Sequence, residues 1–376
     1  MRESEADWMR LCLKAAMKGR GRVSPNPLVG AAVVRDGRLI ALGHHSRFGG
    51  EHAERMALRR AGRRARGATL YVSLEPCAHQ GKTPPCVDSV ASAGIRRVVA
   101  AMRDPHPLVN GRGLRALRRS GVRVEVGLLG REARKLNAAY LRAVVHGRPL
   151  VTLKAGMSLD GKIATAAGRS KWITSPGARR RAHLLRAEHD AVLVGRTTAQ
   201  MDSPLLTARG VRARTRQPFR VVLDSRLRLS PASPLLTRRG GGPVIVYTAT
   251  LRPARRARLE KAGAVVVAAG RGKAGVRLRN VLADLARRGI HSLLVEGGGE
   301  VAWSFLEEGL ADRIAFFVAP RLLGGRSAIA VVGGDGVRDP ARAFRILNLR
   351  TERVGADLLL TGRIAPKARA AAGGGR

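Results

Sequence analysis

The chain has 376 residues, enough for two domains with cores of their own, and the apolar content of an ordinary globular protein. Three cysteines make no disulfide framework, no apolar run reaches the ~20 residues that span a bilayer, and the charged stretch Met1–Lys18 lacks the apolar core of a secretion signal, so a cytoplasmic protein without membrane contact is expected. A net charge of +43 points toward nucleic acid, but the excess is nearly all arginine spread along the chain, and aromatics, the stacking platforms of single-strand binders, are only 3%.

Trp8, Leu11, Cys12, Ala15 and Ala16 recur at helical spacing, which predicts a helix over 5–18 closed by Gly19, with Cys12 in the core. Ser24-Pro25-Asn26-Pro27 is a rigid loop. Val29–Val34 and Leu39–Gly43 read as a hairpin about Asp36-Gly37. A short helix over His52–Arg60, a strand over Thr69–Ser73 and a helix over Cys86–Ala93 follow. Strands over Arg97–Ala101 and Val122–Val126 flank a helix over Gly113–Ser120, so an α/β layered first domain is expected over residues 1–146.

Within that domain lie Glu51-His52-Ala53-Glu54 and Glu75-Pro76-Cys77-Ala78-His79-Gln80-Gly81-Lys82-Thr83-Pro84-Pro85-Cys86. One His and two Cys can hold a single Zn2+ per chain and leave its fourth position open, as a catalytic site requires. His52 and Cys86 each fall at a helix start, where the dipole favours thiolate, the ligand form of cysteine. Glu54, two residues after the His, is placed to move protons. The order H-x-E then P-C…C is the layout of zinc-dependent base deaminases, although their two cysteines usually stand closer than Cys77 and Cys86. Taken singly, the triplet reads as coincidence and the cysteine pair as structural; the joint order favours zinc.

With Asn26-Pro27-Leu28-Val29-Gly30 and Asp104-Pro105-His106-Pro107 running to Gly111-Arg112-Gly113, these motifs resemble the deaminase half of the bifunctional riboflavin-biosynthesis deaminase–reductases. The resemblance implies a cytidine-deaminase-like α/β/α fold. It also implies hydrolytic deamination of 2,5-diamino-6-(5-phosphoribosylamino)pyrimidin-4(3H)-one, with Glu54 catalytic and Asn26, His45, His79, Lys82 and Thr83 holding substrate. His45 and His79 read equally as residues supporting the site or as surface loop groups.

Beyond His146-Gly147-Arg148-Pro149, strands are expected at Leu150–Ala155, Asp190–Gly195, Arg220–Asp224, Val244–Tyr247, Val265–Ala268, Ser292–Glu296, Arg313–Ala319 and Asp357–Leu360. Helices over Val276–Arg287 and Gly299–Glu308 make this a second α/β domain, residues 147–364, before a disordered tail over 365–376. Gly297-Gly298-Gly299 between strand and helix can seat a phosphate or be purely structural, and no G-x-G-x-x-G opens the domain.

Lys154, Ser158-Leu159-Asp160-Gly161-Lys162, Ser170-Lys171-Trp172-Ile173-Thr174, Gly195-Arg196-Thr197-Thr198, Asp202-Ser203-Pro204-Leu205-Leu206 with Arg209, Val295-Glu296-Gly297-Gly298 and Ala319-Pro320-Arg321-Leu322-Leu323-Gly324-Gly325 resemble the reductase half of the same family. That resemblance implies a dihydrofolate-reductase-like α/β fold and NADPH-dependent reduction of the ribosyl chain to ribityl. It places Gly156, Trp172, Thr198, Asp202, Ser225, Gly298 and Gly299 at NADPH. Ser170, Arg186, Leu206, Arg209 and Glu296 fall at the substrate, the arginines suited to its phosphate. Proton-donor candidates are Lys154, Asp202 and Glu296.

Read alone, Trp172 is a core residue, Asp202 a turn residue, and Arg186 and Arg209 solvated charges; Lys154 in an apolar strand needs a partner or a job. Asp312-Arg313 departs from the family's more frequent Asp-Glu. The expected partner is a small phosphoribosylaminopyrimidine, with a homo-oligomer permitted. The competing reading is a nucleic-acid base deaminase or a basic nucleic-acid-binding protein.

Overall fold

The structure, a computed structural model, describes residues 3–80, 84–210, 216–273 and 275–366. The chain divides into two compact units, Met1–Arg148 and Pro149–Arg376.

The first unit runs α1 (Glu5–Ala16), β1 (Gly30–Arg35), β2 (Arg38–His44), α2 (Ala53–Ala61), β3 (Thr69–Val72), α3 (Cys86–Ser92), β4 (Arg97–Ala100), α4 (Arg112–Arg119), β5 (Arg123–Val126), α5 (Gly130–Leu136) and α6 (Ala138–His146). Its sheet has the order β2-β1-β3-β4-β5, antiparallel around β1 and parallel from β3 to β5. Side chains alternate across a strand, so each strand feeds two cores. Ala31, Val33, Leu70, Val72 and Val98 meet Ala53, Ala57, Val90 and Leu117 of the helices on one face. Ala32, Val34, Tyr71 and Val99 meet Trp8, Met9 and Cys12 of α1 on the other. The result is the expected α/β/α layering. Cys12 is a core residue whose Sγ lies 3.4 Å from the Tyr71 carbonyl. Ser4 caps α1 through a reciprocal pair with Asp7. Helices α5 and α6 had no counterpart in the sequence reading; α5, GREARKL, has too few apolar residues to show a stripe.

The second unit runs β6 (Leu150–Ser158), β7 (Lys162–Ala164), α7 (Pro176–Glu188), β8 (Ala191–Gly195), α8 (Arg196–Met201), β9 (Phe219–Leu223), α9 (Pro234–Thr237), β10 (Val244–Thr248), α10 (Pro253–Lys261), β11 (Ala264–Ala268), α11 (Leu278–Arg287), β12 (Ser292–Val295), α12 (Gly299–Glu307), β13 (Arg313–Ala319), β14 (Ile329–Ala330), β15 (Ile346–Val354) and β16 (Asp357–Ile364). The nine-stranded sheet has the order β11-β10-β9-β8-β12-β6-β13-β16-β15. It is parallel through β13, then antiparallel across β16 and β15. Strands β8, β10 and β12 are buried throughout and are rich in Val, Leu and Ile, as parallel strands covered on both faces are. Helix α7 escaped prediction because arginines at 179–181 interrupt its apolar stripe, and β15 because nearly all of it is exposed. Of the expected tail, Ala365 still donates its N–H to Arg345 O at 2.8 Å, and residues from 367 lie outside the described residues.

Candidate functional site

In the first unit, three expected ligands converge. His52 caps α2 and Cys86 opens α3. Cys77 lies in the segment between β3 and α3. Their ligand atoms all lie within 4.8 Å of one another, with His52 Nδ1 3.2 Å from Cys86 Sγ and 3.5 Å from Cys77 Sγ. Tetrahedral ligands bonded to zinc at ~2.0–2.3 Å stand about 3.5 Å apart, so the spacing and the N/S donor set fit zinc. Cys77 is held down to about 4 by Cys86, with His52 adding to the effect against burial, while the same pairing and burial push Cys86 up.

Glu54 is buried on the first turn of α2, and burial, with the Cys77 sulfur adding, pushes its carboxyl up to about 7. A carboxyl near the working pH can both accept and return a proton. His45 is also buried: its Nδ1 is 3.0 Å from Glu51 O and its Nε2 3.0 Å from Asn26 Nδ2. Donation from Nδ1 leaves Nε2 as acceptor for the Asn26 amide, so these two expected substrate residues form one unit. Burial lowers the His45 pKa and keeps the ring neutral. The His45 and His52 rings meet edge-on at 5.4 Å. His79 Nδ1 is buried with no hydrogen-bond partner among the described residues. Lys82 and Thr83 lie outside the described residues. Sequence reasoning passed over Glu75, whose buried carboxylate is tied to four backbone N–H groups beside Cys77. A charged residue directly after the apolar Leu70–Leu74 run was the signal available.

In the second unit a cleft of about 1090 Å³ opens where β8, β9 and β12 reach their C-terminal ends. Ligands of open α/β sheets bind at that end of the strands. Gly195 and Gly298 each cap a helix there, so two sets of free N–H groups adjoin it. Of the expected cofactor residues, Thr198, Asp202, Ser225, Gly298 and Gly299 all line the cleft. Ser170, expected at the substrate, lines it too and donates to Asp202 Oδ1 at 3.1 Å. Arg196, Lys273, Glu300 and Trp303 also line it and were not foreseen; Glu300 and Trp303 stand one and four residues past the glycine turn.

The remaining expected residues stand in other settings. Gly156, Trp172, Lys154, Arg186, Leu206, Arg209 and Glu296 are not among the residues lining this cleft. Trp172 is not core either: it is 63% exposed, with the Arg179 guanidinium 4.5 Å from its ring centre. Leu206 turns its side chain into the core from a left-handed backbone, φ 51°, so it offers a ligand only its backbone. Arg209 is exposed. Arg186 is not: Nε and Nη2 grip the Glu296 carboxylate at 2.7 and 2.8 Å, and Nη1 donates to Thr207 O at 3.2 Å. Its fork is engaged and is not free to clasp a phosphate in bidentate fashion. Lys154 has the partner its position demanded, Nζ lying 3.4 Å from Glu296 Oε2. Burial raises the Glu296 pKa, but the Arg186 and Lys154 charges together outweigh it and hold the carboxyl well below the usual range. An ionised Glu296 has no proton to give, which removes it from the donor candidates. Asp312, of the departing pair, accepts the Val151 N–H at 2.9 Å, a structural role.

A His/Cys/Cys centre with a buried glutamate, followed by a ligand cleft at the ends of parallel strands, fits the class of a zinc deaminase joined to a second, nucleotide-binding α/β domain. Residues 2–102 match the cytidine and deoxycytidylate deaminase zinc-binding region, and residues 149–360 match the RibD C-terminal domain. The riboflavin biosynthesis protein RibD of Aquifex aeolicus is 42% identical over 360 residues, 96% of this chain and 98% of that protein. Acinetobacter baumannii RibD superposes with a TM-score of 0.87 at 37% identity, covering 96% of this chain and 98% of the other. A Thermotoga maritima structure described as a diaminohydroxyphosphoribosylaminopyrimidine deaminase/5-amino-6-(5-phosphoribosylamino)uracil reductase has a TM-score of 0.81 at 37% identity, with the same coverage. The chain belongs to the RibD family of bifunctional riboflavin biosynthesis enzymes, and carries a zinc-dependent deaminase and an NADPH-dependent reductase. No helix among the described residues is long and apolar enough to cross a membrane.

Proposed function

We propose that the first unit deaminates 2,5-diamino-6-(5-phosphoribosylamino)pyrimidin-4(3H)-one and that the second reduces the ribosyl chain of the product to ribityl. The observation that carries this reading is the meeting of His52, Cys77 and Cys86 within 4.8 Å in a unit where Glu54, two residues after His52, is buried. His52, Cys77 and Cys86 would hold the zinc, which when bound would supply Lewis-acid polarisation of the attacking water. Glu54 takes a proton from that water as its oxygen bonds to the amino-bearing ring carbon, and returns a proton to the departing nitrogen. Ammonia leaves and a ring carbonyl remains. Asn26 and His45 face the pyrimidine as a single hydrogen-bonded pair, and His79, Lys82 and Thr83 hold the phosphoribosyl arm.

NADPH, when bound, would supply a hydride to the sugar carbon that bears the amine, once the ribosyl ring has opened to the imine. Thr198, Asp202, Ser225 and the Gly298–Gly299 turn bind the cofactor along the cleft, with Ser170 braced against Asp202. Lys154 gives the matching proton to the amine nitrogen; its Nζ is held 3.4 Å from Glu296 Oε2, and Arg186 grips the same carboxylate. On this reading the protein works in the cytoplasm on a free small molecule; the arginine excess is dispersed along a chain with few aromatics, which disfavours single-stranded nucleic acid as its partner. Incubating the protein with the diaminopyrimidine phosphate tests this. Ammonia should appear without NADPH, and NADPH should be oxidised only once deaminated product has formed. No turnover, together with RNA binding that is tight at physiological salt, would refute the reading.

A further inference from the structure

Cys77 follows β3 through Glu75 and Pro76. Glu75 is 4% exposed, and its carboxylate meets no cation among the described residues. Oε2 accepts the backbone N–H groups of Asp104 at 3.1 Å and Gly111 at 3.0 Å; Oε1 accepts those of Gly113 at 3.0 Å and Leu114 at 3.3 Å. The last two belong to the open first turn of α4, where a carboxylate is favoured by both free donors and helix dipole. The Glu75 N–H donates to Met102 O at 3.0 Å. The contact made this way is close: a Cβ on Gly113 would stand 1.9 Å from Pro76 O. Asp104 is itself fixed by the Tyr140 hydroxyl, which donates to Oδ1 at 2.9 Å. A chain of hydrogen bonds therefore runs from Tyr140 through Asp104 to Glu75, two residues from Cys77.

A buried charge has to be compensated, and a carboxylate with four N–H donors is compensated by geometry alone. We propose that Glu75 is a positioning residue of the zinc site, locking the Pro76–Cys77 segment against α4 so that Cys77 Sγ stays in register with His52 and Cys86. The role rests on those three residues being the zinc ligands. Glutamine at this position keeps the size but carries a donor at one end. Whichever way its amide turns, two of the four backbone N–H groups then face another N–H.

The test is zinc competition between the full-length chain and a chromogenic chelator, with the absorption spectrum of the cobalt-loaded protein as a second readout. Glu75→Gln should bind zinc about tenfold to a hundredfold more weakly, the usual effect of disturbing groups that hold metal ligands in place. Its cobalt–thiolate band should shift, while NADPH-dependent reduction of deaminated substrate is unchanged. Tyr140→Phe, a milder cut in the same chain of bonds, should lower zinc affinity several-fold and serves if Glu75→Gln does not fold. Parental zinc affinity and an unshifted cobalt spectrum in folded Glu75→Gln, or in Tyr140→Phe if only that variant folds, would overturn the positioning role. A parent chain that takes up no zinc would instead overturn the ligand assignment on which the role depends.

Discussion

Arg186→Leu is the sharpest probe of the reductase unit. The Arg186 and Glu296 side chains are 15% and 8% exposed and joined by a two-point pair at 2.7 and 2.8 Å. Removing one partner of such a pair costs about 3–5 kcal/mol, because the other is left buried and uncompensated. Lys154, 3.4 Å from the same carboxylate, remains, which puts the expected loss near the lower end, about 3 kcal/mol. At about 2–4 °C per kcal/mol for a unit of this size, the midpoint should fall by about 6–12 °C. Scanning calorimetry of the full-length chain reads this directly: the units have separate cores, so only the reductase transition should move. The pH dependence has a definite sign. Glu296 has a depressed folded pKa, so the stability it lends is fully present above the unfolded value of about 4.3 and is lost as pH falls toward the folded value. The gap between parent and variant should therefore narrow in acid. A loss below about 1 kcal/mol, the size of a surface pair, would refute the claim that the pair is desolvated.

His52→Ala or Cys77→Ala should abolish bound zinc and ammonia release while NADPH-dependent reduction of the deaminated intermediate persists; metal analysis and the two assays check this. Glu54→Gln should keep its zinc and lose about 10²–10⁴-fold in the rate of ammonia release. The glycine turn allows a paired test. A Cβ on Gly299 would lie 2.5 Å from Ala330 O and 2.8 Å from Gly333 N, so Gly299→Ala should cost about 1–3 kcal/mol in thermal unfolding. A Cβ on Gly298 meets only Thr198 Oγ1 at 3.9 Å, so Gly298→Ala should leave the midpoint unchanged and raise KM for NADPH.

The zinc centre was legible because metal chemistry accepts few residue types, and because His52 and Cys86 sit at helix starts that local patterns disclose. The central strands were legible for the same local reason: burial on both faces demands unbroken apolar runs. What stayed hidden depends on distant partners. Nothing near Arg186 announces that Glu296, 110 residues on, has taken its guanidinium. Trp172 looked like core because a large aromatic usually is, and only the fold shows it standing outside over Arg179. Glu75 looked like one more acid in a motif until its four donors, from positions 29 to 39 residues ahead, came into view. Strand β15 carries no clear alternation because most of it is exposed and it is held by backbone pairing to β16, which any side chain permits.

The two outer strands of the large sheet differ in a way that bears on handling the protein. On one side β15 ends the sheet with Arg350, Glu352 and Arg353 along its length, and charges on an outer strand resist the addition of a further strand. On the other, β11 ends it with Ala-Val-Val-Val-Ala, no charge, and Val265 43% exposed. Aggregation on heating or at high concentration should begin at β11, and Val265→Lys is the substitution expected to suppress it, leaving both chemistries untouched.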